Sequence, residues 1–295
     1  MNSDAVRTFI EVSEERSFTK ASRKLYIAQS TITNRIKELE KELGEQLFQR
    51  KDKNVELTQA GIIFSEYAYK YMELEKKLKS DIYNSNKFMN TLNIGSVKGI
   101  YESHLRKHLQ CFVKHNEDVA VHLINEHSRM VIGKLADNLI DIGFSYIPIV
   151  EQGYICKLFR EDEILFVSRA RSLVHKEEVS KEELQGLPII YSKFVKTPGF
   201  DFMGDLFPPY HRFCMDISIM SEIVPFLLNG TYYAFLPYGL IKEHLDKGLL
   251  KPIKIKDYDI PPLKSYAIIK SEKHLKTLEF FLNELPGELK DNENT

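Results

Sequence analysis

The chain has 295 residues, more than one hydrophobic core usually organises, so two or three packed units are expected. Its composition, 43% hydrophobic and 28% charged, is that of a soluble globular protein; no run of eighteen apolar residues offers a membrane span, and the polar N-terminus offers no signal peptide. The formal net charge of −1 conceals a basic front end: from Arg16 to Lys53 ten Lys or Arg stand against five Asp or Glu, and no acid occurs between Lys20 and Lys37. Such a bias points to a polyanion partner for that end only. Cys111, Cys156 and Cys214 form no CxxC and cannot all pair, which suits a reducing cytoplasm.

Val6, Phe9, Ile10 and Val12 fall at helical spacing within Asp4 to Ser13 and make a first packing helix. A second, Thr19 to Leu25, has Thr19 as its N-cap and the small Ala21 where a crossing helix can approach. Tyr26 to Ala28 supply a turn. From Ser30 the residues Ile32, Ile36, Leu39 and Leu43 form one inward stripe, ended by Gly44 as a C-terminal cap. Ser30, Thr31, Asn34 and Lys37 are then rotated outward, with Thr33 on the flank, where hydroxyls, an amide and an ammonium can meet base edges and phosphates. A solvated polar face has the same periodicity; the acid-free basic run ahead of it favours DNA.

Gln46 to Leu57 reads as a hairpin-like wing anchored by Leu47 and Phe48, with Arg50, Lys51 and Lys53 at the tip to track phosphate. Thr58 caps a helix running to about Tyr83, in which Ala60, Phe64, Tyr67, Tyr71, Leu74, Leu78 and Ile82 step by three or four. That is the seam of a coiled coil, with Phe64, Tyr67, Tyr71, Leu74 and Leu78 facing a second chain, or else a helix buried on its own domain. Ser80 to Asn90 is a polar hinge. Beyond it, the segments 92–97, 119–124 and 140–147 read as strands, separated by helices over 102–114 and 129–138, the β-α-β-α-β pattern of a parallel sheet. A second run holds strands at 164–167, 187–192 and 232–237 and helices at 222–228 and 238–247; a strand at 266–269 and a helix at 275–285 close the chain. Two α/β lobes joined by two crossing strands accommodate this order.

Ala21, Leu25, Ile27, Gln29, Ile32, Ile36, Leu39, Glu40, Leu43, Gly44, Leu47, Phe48 and Arg50, followed by Leu57, Thr58, Ala60 and Gly61, resemble the N-terminal domain of the LysR-type transcriptional regulators without a gap, and the likeness spans the whole chain. The resemblance implies a multi-domain α/β protein: a winged helix-turn-helix DNA-binding domain (1–60), a linker and dimerisation helix with hinge (58–90), and a two-lobed effector domain like a periplasmic binding protein (91–295). Lobe I would take about 91–162 and 268–290, lobe II about 163–267. It also implies a dimer of dimers on an interrupted palindrome in double-stranded DNA beside a promoter, with RNA polymerase as a further candidate partner. A small effector would alter DNA bending. Gln29, Ser30, Thr31, Thr33, Asn34, Lys37, Arg50, Lys51 and Lys53 are the DNA-contact set, and no cofactor, metal or catalytic residue is expected. This chain has Ala28 and Ser30 where the family commonly has Ser and Pro, so the usual capping hydroxyl and rigid first turn are absent, and Ser30 is expected to cap a slightly later helix.

In open α/β sheets ligands sit outside the carboxyl ends of strands. Those ends bring forward Ser96, Val97 and Lys98, then Ser128 and Arg129, then Ser145 and Tyr146; across the cleft they offer Tyr191, Ser192 and Lys193, with Thr197 close behind. Lys98 and Arg129 would suit a carboxylate or other anion. Hydroxyls at strand ends are also ordinary turn residues. His104, His108, Cys111 and His115 share one helical face but spread over about 16 Å, too far for one ion, and read as surface residues. The competing functions are an α/β enzyme, against which stands the lack of GxSxG, GxxxxGK[ST], HExxH and GxGxxG, and a solute-binding protein, which an N-terminal basic helix-turn-helix does not fit.

Overall fold

Three short helices form around the first apolar stripes: α1 (Ser3–Glu15), α2 (Phe18–Leu25) and α3 (Gln29–Leu43). The computed structural model describes residues 1–51, 54–84, 90–170, 177–192, 200–272, 277–278 and 281–282. Asn2 caps α1 by accepting from the Asp4 amide, and Arg16, left-handed at φ 50°, ends it. The cap of α2 is Ser17, whose hydroxyl accepts from the Lys20 amide, and not Thr19, which lies one residue inside the helix. Tyr26 closes α2 in the left-handed region at φ 55°. Helix α3 starts at Gln29 from an extended Ala28 with no side-chain cap, so Ser30 does not replace the missing hydroxyl.

The wing is a two-stranded hairpin, β1 (Phe48–Lys51) and β2 (Asn54–Leu57), and α4 (Gln59–Asn84) follows it. Thr58 caps α4 as the sequence indicates, its hydroxyl accepting from the Gly61 amide and donating to the Gln46 carbonyl at 2.6 Å. Val6, Phe9, Ile36, Leu39 and Leu47 make a core that Ala68 of α4 completes, and Phe9 meets Phe64 edge-on at 4.8 Å. Leu43 lies outside this core and is 42% exposed. The segment 80–84, expected as hinge, is still helix α4; residues 85–89 lie outside the described residues.

The chain divides into two compact units, Met1–Lys87 and Phe88–Thr295. The second opens with β3 (Asn90–Ser96), then α5 (Lys98–Ile100), which runs through a π turn (Tyr101–Leu105) into α6 (Arg106–His115). Next come β4 (Val119–Asn125), α7 (Ser128–Ala136), β5 (Ile142–Ser145) and β6 (Tyr154–Asp162). After Glu163 alone, β7 (Ile164–Arg169) begins another sheet, followed by β8 (Glu178–Val179), α8 (Lys181–Gln185), β9 (Ile189–Tyr191), α9 (Met203–Leu206) and β10 (Met215–Asp216). A 3-10 turn (Met220–Ile223) leads into α10 (Val224–Asn229), then β11 (Tyr233–Pro237), α11 (Tyr238–Asp246), β12 (Leu250–Pro252), β13 (Lys254–Ile255) and β14 (Leu263–Lys270).

The two five-stranded sheets have orders β4-β3-β5-β14-β6 and β10-β9-β11-β7-β12. Neither is all-parallel: β3 is parallel to β4 and β5, but β14 runs antiparallel to β5 and β6, and β7 antiparallel to β11 and β12. β14 belongs to the first sheet from Leu263 onward, so residues 263–267, expected in lobe II, pair with the first lobe. Helices cover apolar strands in both lobes, with Phe144, Phe166, Phe202 and Phe281 fully buried between layers. Among the described residues no helix is long and apolar enough to cross a membrane.

Candidate nucleic-acid interface and effector cleft

Burying Ile32, Ile36 and Leu39 leaves Gln29, Ser30, Asn34 and Lys37 on the exposed side of α3, with Thr31 and Thr33 half-buried on its flanks. Gln29, Thr33 and Lys37, one turn apart, line a groove of about 420 Å³ that Arg16, Ser17, Thr19 and Gln49 complete from the start of α2 and from the wing. Thr19 donates its hydroxyl to the Gln29 side-chain oxygen at 3.1 Å, and Thr33 back-bonds to the Gln29 carbonyl at 3.0 Å. The Gln29 amide is thereby oriented with its NH2 group left as a donor. Thr31 lies one turn before Arg35, whose guanidinium turns back to α1, 2.6 Å from Asp4 and 3.3 Å from Thr8. Thr31 therefore shares the flank that packs toward α1 and stands away from the groove.

The basic front end is less uniform than its count. Lys24 reaches Glu11 at 2.6 Å, Glu15 at 3.5 Å and Glu14 at 3.6 Å, and its pKa is held above the usual lysine range first by the bond to Glu11. Lys24, though exposed, and the half-buried Arg35 are thus paired to acids of α1, and Lys20, Arg23 and Lys37 are exposed as well. Sequence reading missed this because the acids involved lie nine to thirty-one residues away. It also missed Arg16, Ser17, Thr19 and Gln49 as groove residues; the helix start ahead of the stripe was the signal that could have found the first three. Arg50 and Lys51 sit in β1, paired with Val55 and Asn54, and Lys53 lies outside the described residues.

Along α4 the expected interface residues separate into two sets. Phe64 and Tyr71 pack on the core of their own unit, and the Tyr71 hydroxyl lies 3.3 Å from that of Ser3. Tyr67, Leu74 and Leu78 are 65%, 53% and 57% exposed, in line with Ile63 and Ile82, so the uncovered apolar stripe is 63-67-74-78-82.

The expected effector residues gather at the carboxyl ends of β3 and β5, with β9 across the junction. Ser96 and Ser145 are fully buried and turn their hydroxyls to nearby carbonyls, that of Val97 and that of Ile147. Ser128 accepts from the Tyr146 amide at 3.2 Å; Arg129 is exposed on α7. Tyr146 is buried, and burial, then Asp162 and Glu102, raises its phenol pKa far above the ordinary value. A Cβ on Gly99 would lie 2.3 Å from the Met220 methyl and 2.8 Å from the Tyr146 hydroxyl, so a larger residue there would have to push both side-chain ends aside. Beside it Lys98, half-buried, stands 3.8 Å from Glu222. Tyr191 stacks on Phe213 at 4.8 Å, and Ser192 is 3% exposed with no hydrogen-bond partner for its hydroxyl among the described residues. Lys193 and Thr197 lie outside the described residues.

The histidine face also differs from its surface reading. His104 is half-buried in the π turn and bonds Asp162 at 2.7 Å at the end of β6. The extra residue of a π turn shifts the helical register, which turns His104 inward from the line of Cys111 and His115. His115 faces the Cys111 carbonyl at 2.9 Å. Among the described residues no three His, Cys, Asp or Glu are placed to hold one metal ion.

Residues 3–62 match the bacterial regulatory helix-turn-helix protein, lysR family, and residues 85–289 match the LysR substrate binding domain. The chain belongs to the LysR family. LysR-family proteins of this organisation are DNA-binding transcriptional regulators with an effector-binding domain, and that is the function of this chain. It is 25% identical over 296 residues to a probable RuBisCO transcriptional regulator of Thalassiosira pseudonana, covering 95% of each chain. It is 21% identical to the HTH-type transcriptional regulator CitR of Bacillus subtilis, covering 93% of this chain and 96% of that one. Among solved structures, the LysR family transcriptional regulator CbnR superposes with a TM-score of 0.72 at 17% identity over 97% of this chain and 98% of that one. CbnR complexed with its target DNA gives the same score and identity, covering 97% of this chain and 99% of that one.

Proposed function

We propose that this LysR-family regulator reads two half-sites of an interrupted palindrome with paired α3 helices, Gln29, Ser30, Asn34 and Lys37 facing the major groove. The observation that carries the reading is the exposed α3 face, with Gln29 fixed by Thr19 at 3.1 Å and with Lys24 of α2 and Arg35 of α3 paired to acids of α1. Solution of CbnR with its target DNA supports a similar use of the same fold here. Thr33 borders the contact from the groove, Thr31 contributes little to it, and Arg50, Lys51 and Lys53 of the wing hold phosphate.

Pairing uses the α4 stripe of Ile63, Tyr67, Leu74, Leu78 and Ile82; Phe64 and Tyr71 act inside each copy. Two such dimers associate on the operator, beside which RNA polymerase is recruited or blocked. A cytoplasmic location is supported by the free thiols of Cys111, Cys156 and Cys214. A small molecule binds between the two lobes, near Ser96, Val97, Lys98, Ser128, Tyr146 and Ser192, and shifts the arrangement of the dimers by its differential affinity for two states. Arg129, exposed on α7, stands at the margin of that site.

Footprinting of the full-length protein on the DNA upstream of its own gene tests the reading. Two protected segments about one helical turn or a multiple apart are expected. A single protected segment, or a pattern left unchanged by a ligand that demonstrably binds the protein, contradicts the pairing or the coupling respectively.

A further inference from the structure

The turn between α1 and α2 is built on a backbone that its residue does not favour. Arg16 lies at φ 50° and ψ 29°, in the left-handed region, where glycine or asparagine closes a helix without crowding of a large side chain. Its carbonyl accepts from the Val55 amide at 3.3 Å, so the wing pins this backbone. Of the five described non-glycine residues with positive φ, Arg16 alone lines the groove beside α3. A residue held in the left-handed region against its own preference points to a use beyond the fold.

The charges around the groove supply the second observation. Arg16 is exposed, and Lys37 of α3 lines the same groove of about 420 Å³. Among the described residues the Arg16 guanidinium enters no ion pair, whereas Lys24 and Arg35 are each held by acids of α1. Glu40 is the single acid among the described lining residues, and its Oε1 is engaged by the Leu47 and Phe48 amides. Two cations against one engaged carboxylate suit an anion arriving along the exposed side of α3. A major groove about 12 Å wide just admits an α-helix, so a helix seated in it has a phosphodiester strand along each flank. Arg16 stands on the flank that carries Gln29, Thr33 and Lys37, and a guanidinium fits two phosphate oxygens at once.

We infer that Arg16 holds one phosphodiester of the DNA backbone at the mouth of this groove. The contact carries affinity and no sequence information, and it comes from the turn ahead of α2, outside both the recognition helix and the wing. It rests on the reading that α3 enters the major groove and adds to that reading a cation that the sequence did not single out.

Fluorescence anisotropy of the full-length protein with upstream and scrambled DNA, across a salt series, tests this. Arg16→Gly, which relieves the left-handed backbone, should raise the melting temperature or leave it unchanged. The same variant should weaken both DNAs alike by about tenfold or more, as loss of a charge-assisted bond requires, and lower the slope of log affinity against log salt by about 1. Arg16→Lys should keep the slope, and Arg16→Asn, a second residue at ease in the left-handed region, should repeat the glycine result. A scan of upstream DNA carrying one neutral methylphosphonate at a time should find a position that weakens the parent and leaves Arg16→Gly unaffected. An Arg16→Gly variant with the affinity and slope of the parent, or a methylphosphonate scan with the same profile for both proteins, overturns the inference. So does a loss that Arg16→Lys shares in full together with a lowered melting temperature, which would make Arg16 a structural residue of the turn. A parent that fails to prefer upstream over scrambled DNA overturns the proposed reading of an operator instead; Arg16 is then judged by the slope on scrambled DNA, so the two failures are told apart.

Discussion

Replacing Glu40 by alanine removes the carboxylate through which the recognition helix holds the start of the wing. Glu40 Oε1 accepts from the Leu47 amide at 2.8 Å and from the Phe48 amide at 3.3 Å. The first is a well-formed charge-assisted bond worth about 1.5–3 kcal/mol, and the second is long enough to add little. Leu47 is 1% exposed, so the freed amide gains little from water. Glu40→Ala is therefore expected to destabilise the first unit by about 2–3 kcal/mol, whereas Glu40→Gln, which keeps a carbonyl acceptor, costs about 1 kcal/mol. For a unit of this size about 1 kcal/mol moves the melting midpoint by roughly 4–8 °C, so the alanine variant should melt about 10 °C lower or more. Thermal unfolding by circular dichroism reads the shift, and amide exchange of the peptide spanning 45–49 localises it. Equal melting of Glu40→Ala and the parent, or equal damage by Gln and Ala, would refute the reasoning.

Gly61→Ala should destabilise the same unit by about 2 kcal/mol despite the better helix propensity of alanine, because its Cβ would lie 2.1 Å from the Leu47 carbonyl oxygen; a rise in melting temperature would contradict this. Lys37→Ala should lower the slope of log affinity against log salt for operator DNA by about 1, whereas Lys24→Ala, bound to α1 acids, should leave it unchanged; equal losses would show both cations on phosphate. His108 is held below its ordinary 6.5 by burial, then by Arg160 and His104. Its neutral form is thus favoured in the folded chain, and the unfolded chain binds the proton first as the pH falls. The contribution to stability is present above pH 6.5 and lost below it, so His108→Gln should flatten the fall in melting midpoint between pH 7 and 5.

The helix-turn-helix was legible because its information is local: Ile32, Ile36 and Leu39 share one stripe, Thr58 caps α4, and Gly44 ends α3 at φ 76°. The role of Gly61 became physical only once the Leu47 carbonyl was found against it. What the sequence withheld depends on neighbours distant along the chain. Periodicity cannot separate Phe64 and Tyr71 from Tyr67 and Leu78 without knowing which side α1 covers. Strand β6 reads poorly because it is an edge strand with a register shift against β14 between Ser265 and Tyr266, and Lys157, Arg160 and Glu161 break its alternation. Topology alone brings Ser96, Ser128 and Ser145 to neighbouring strand and helix ends, whereas the pairing of Lys98 with Glu222 across 3.8 Å joins residues 124 positions apart and has no local signal.

The central claim is that the exposed face of α3 gives this regulator its sequence specificity. Fluorescence anisotropy of the full-length protein with labelled DNA from upstream of its own gene, competed by scrambled DNA of equal length at one fixed salt concentration, tests it most directly. Preference for the upstream DNA by about 10³-fold or more is expected, with Gln29→Ala reducing that ratio by about tenfold while affinity for scrambled DNA is unchanged. Equal affinity for the two DNAs, or a Gln29→Ala variant that retains the full ratio, would contradict the account.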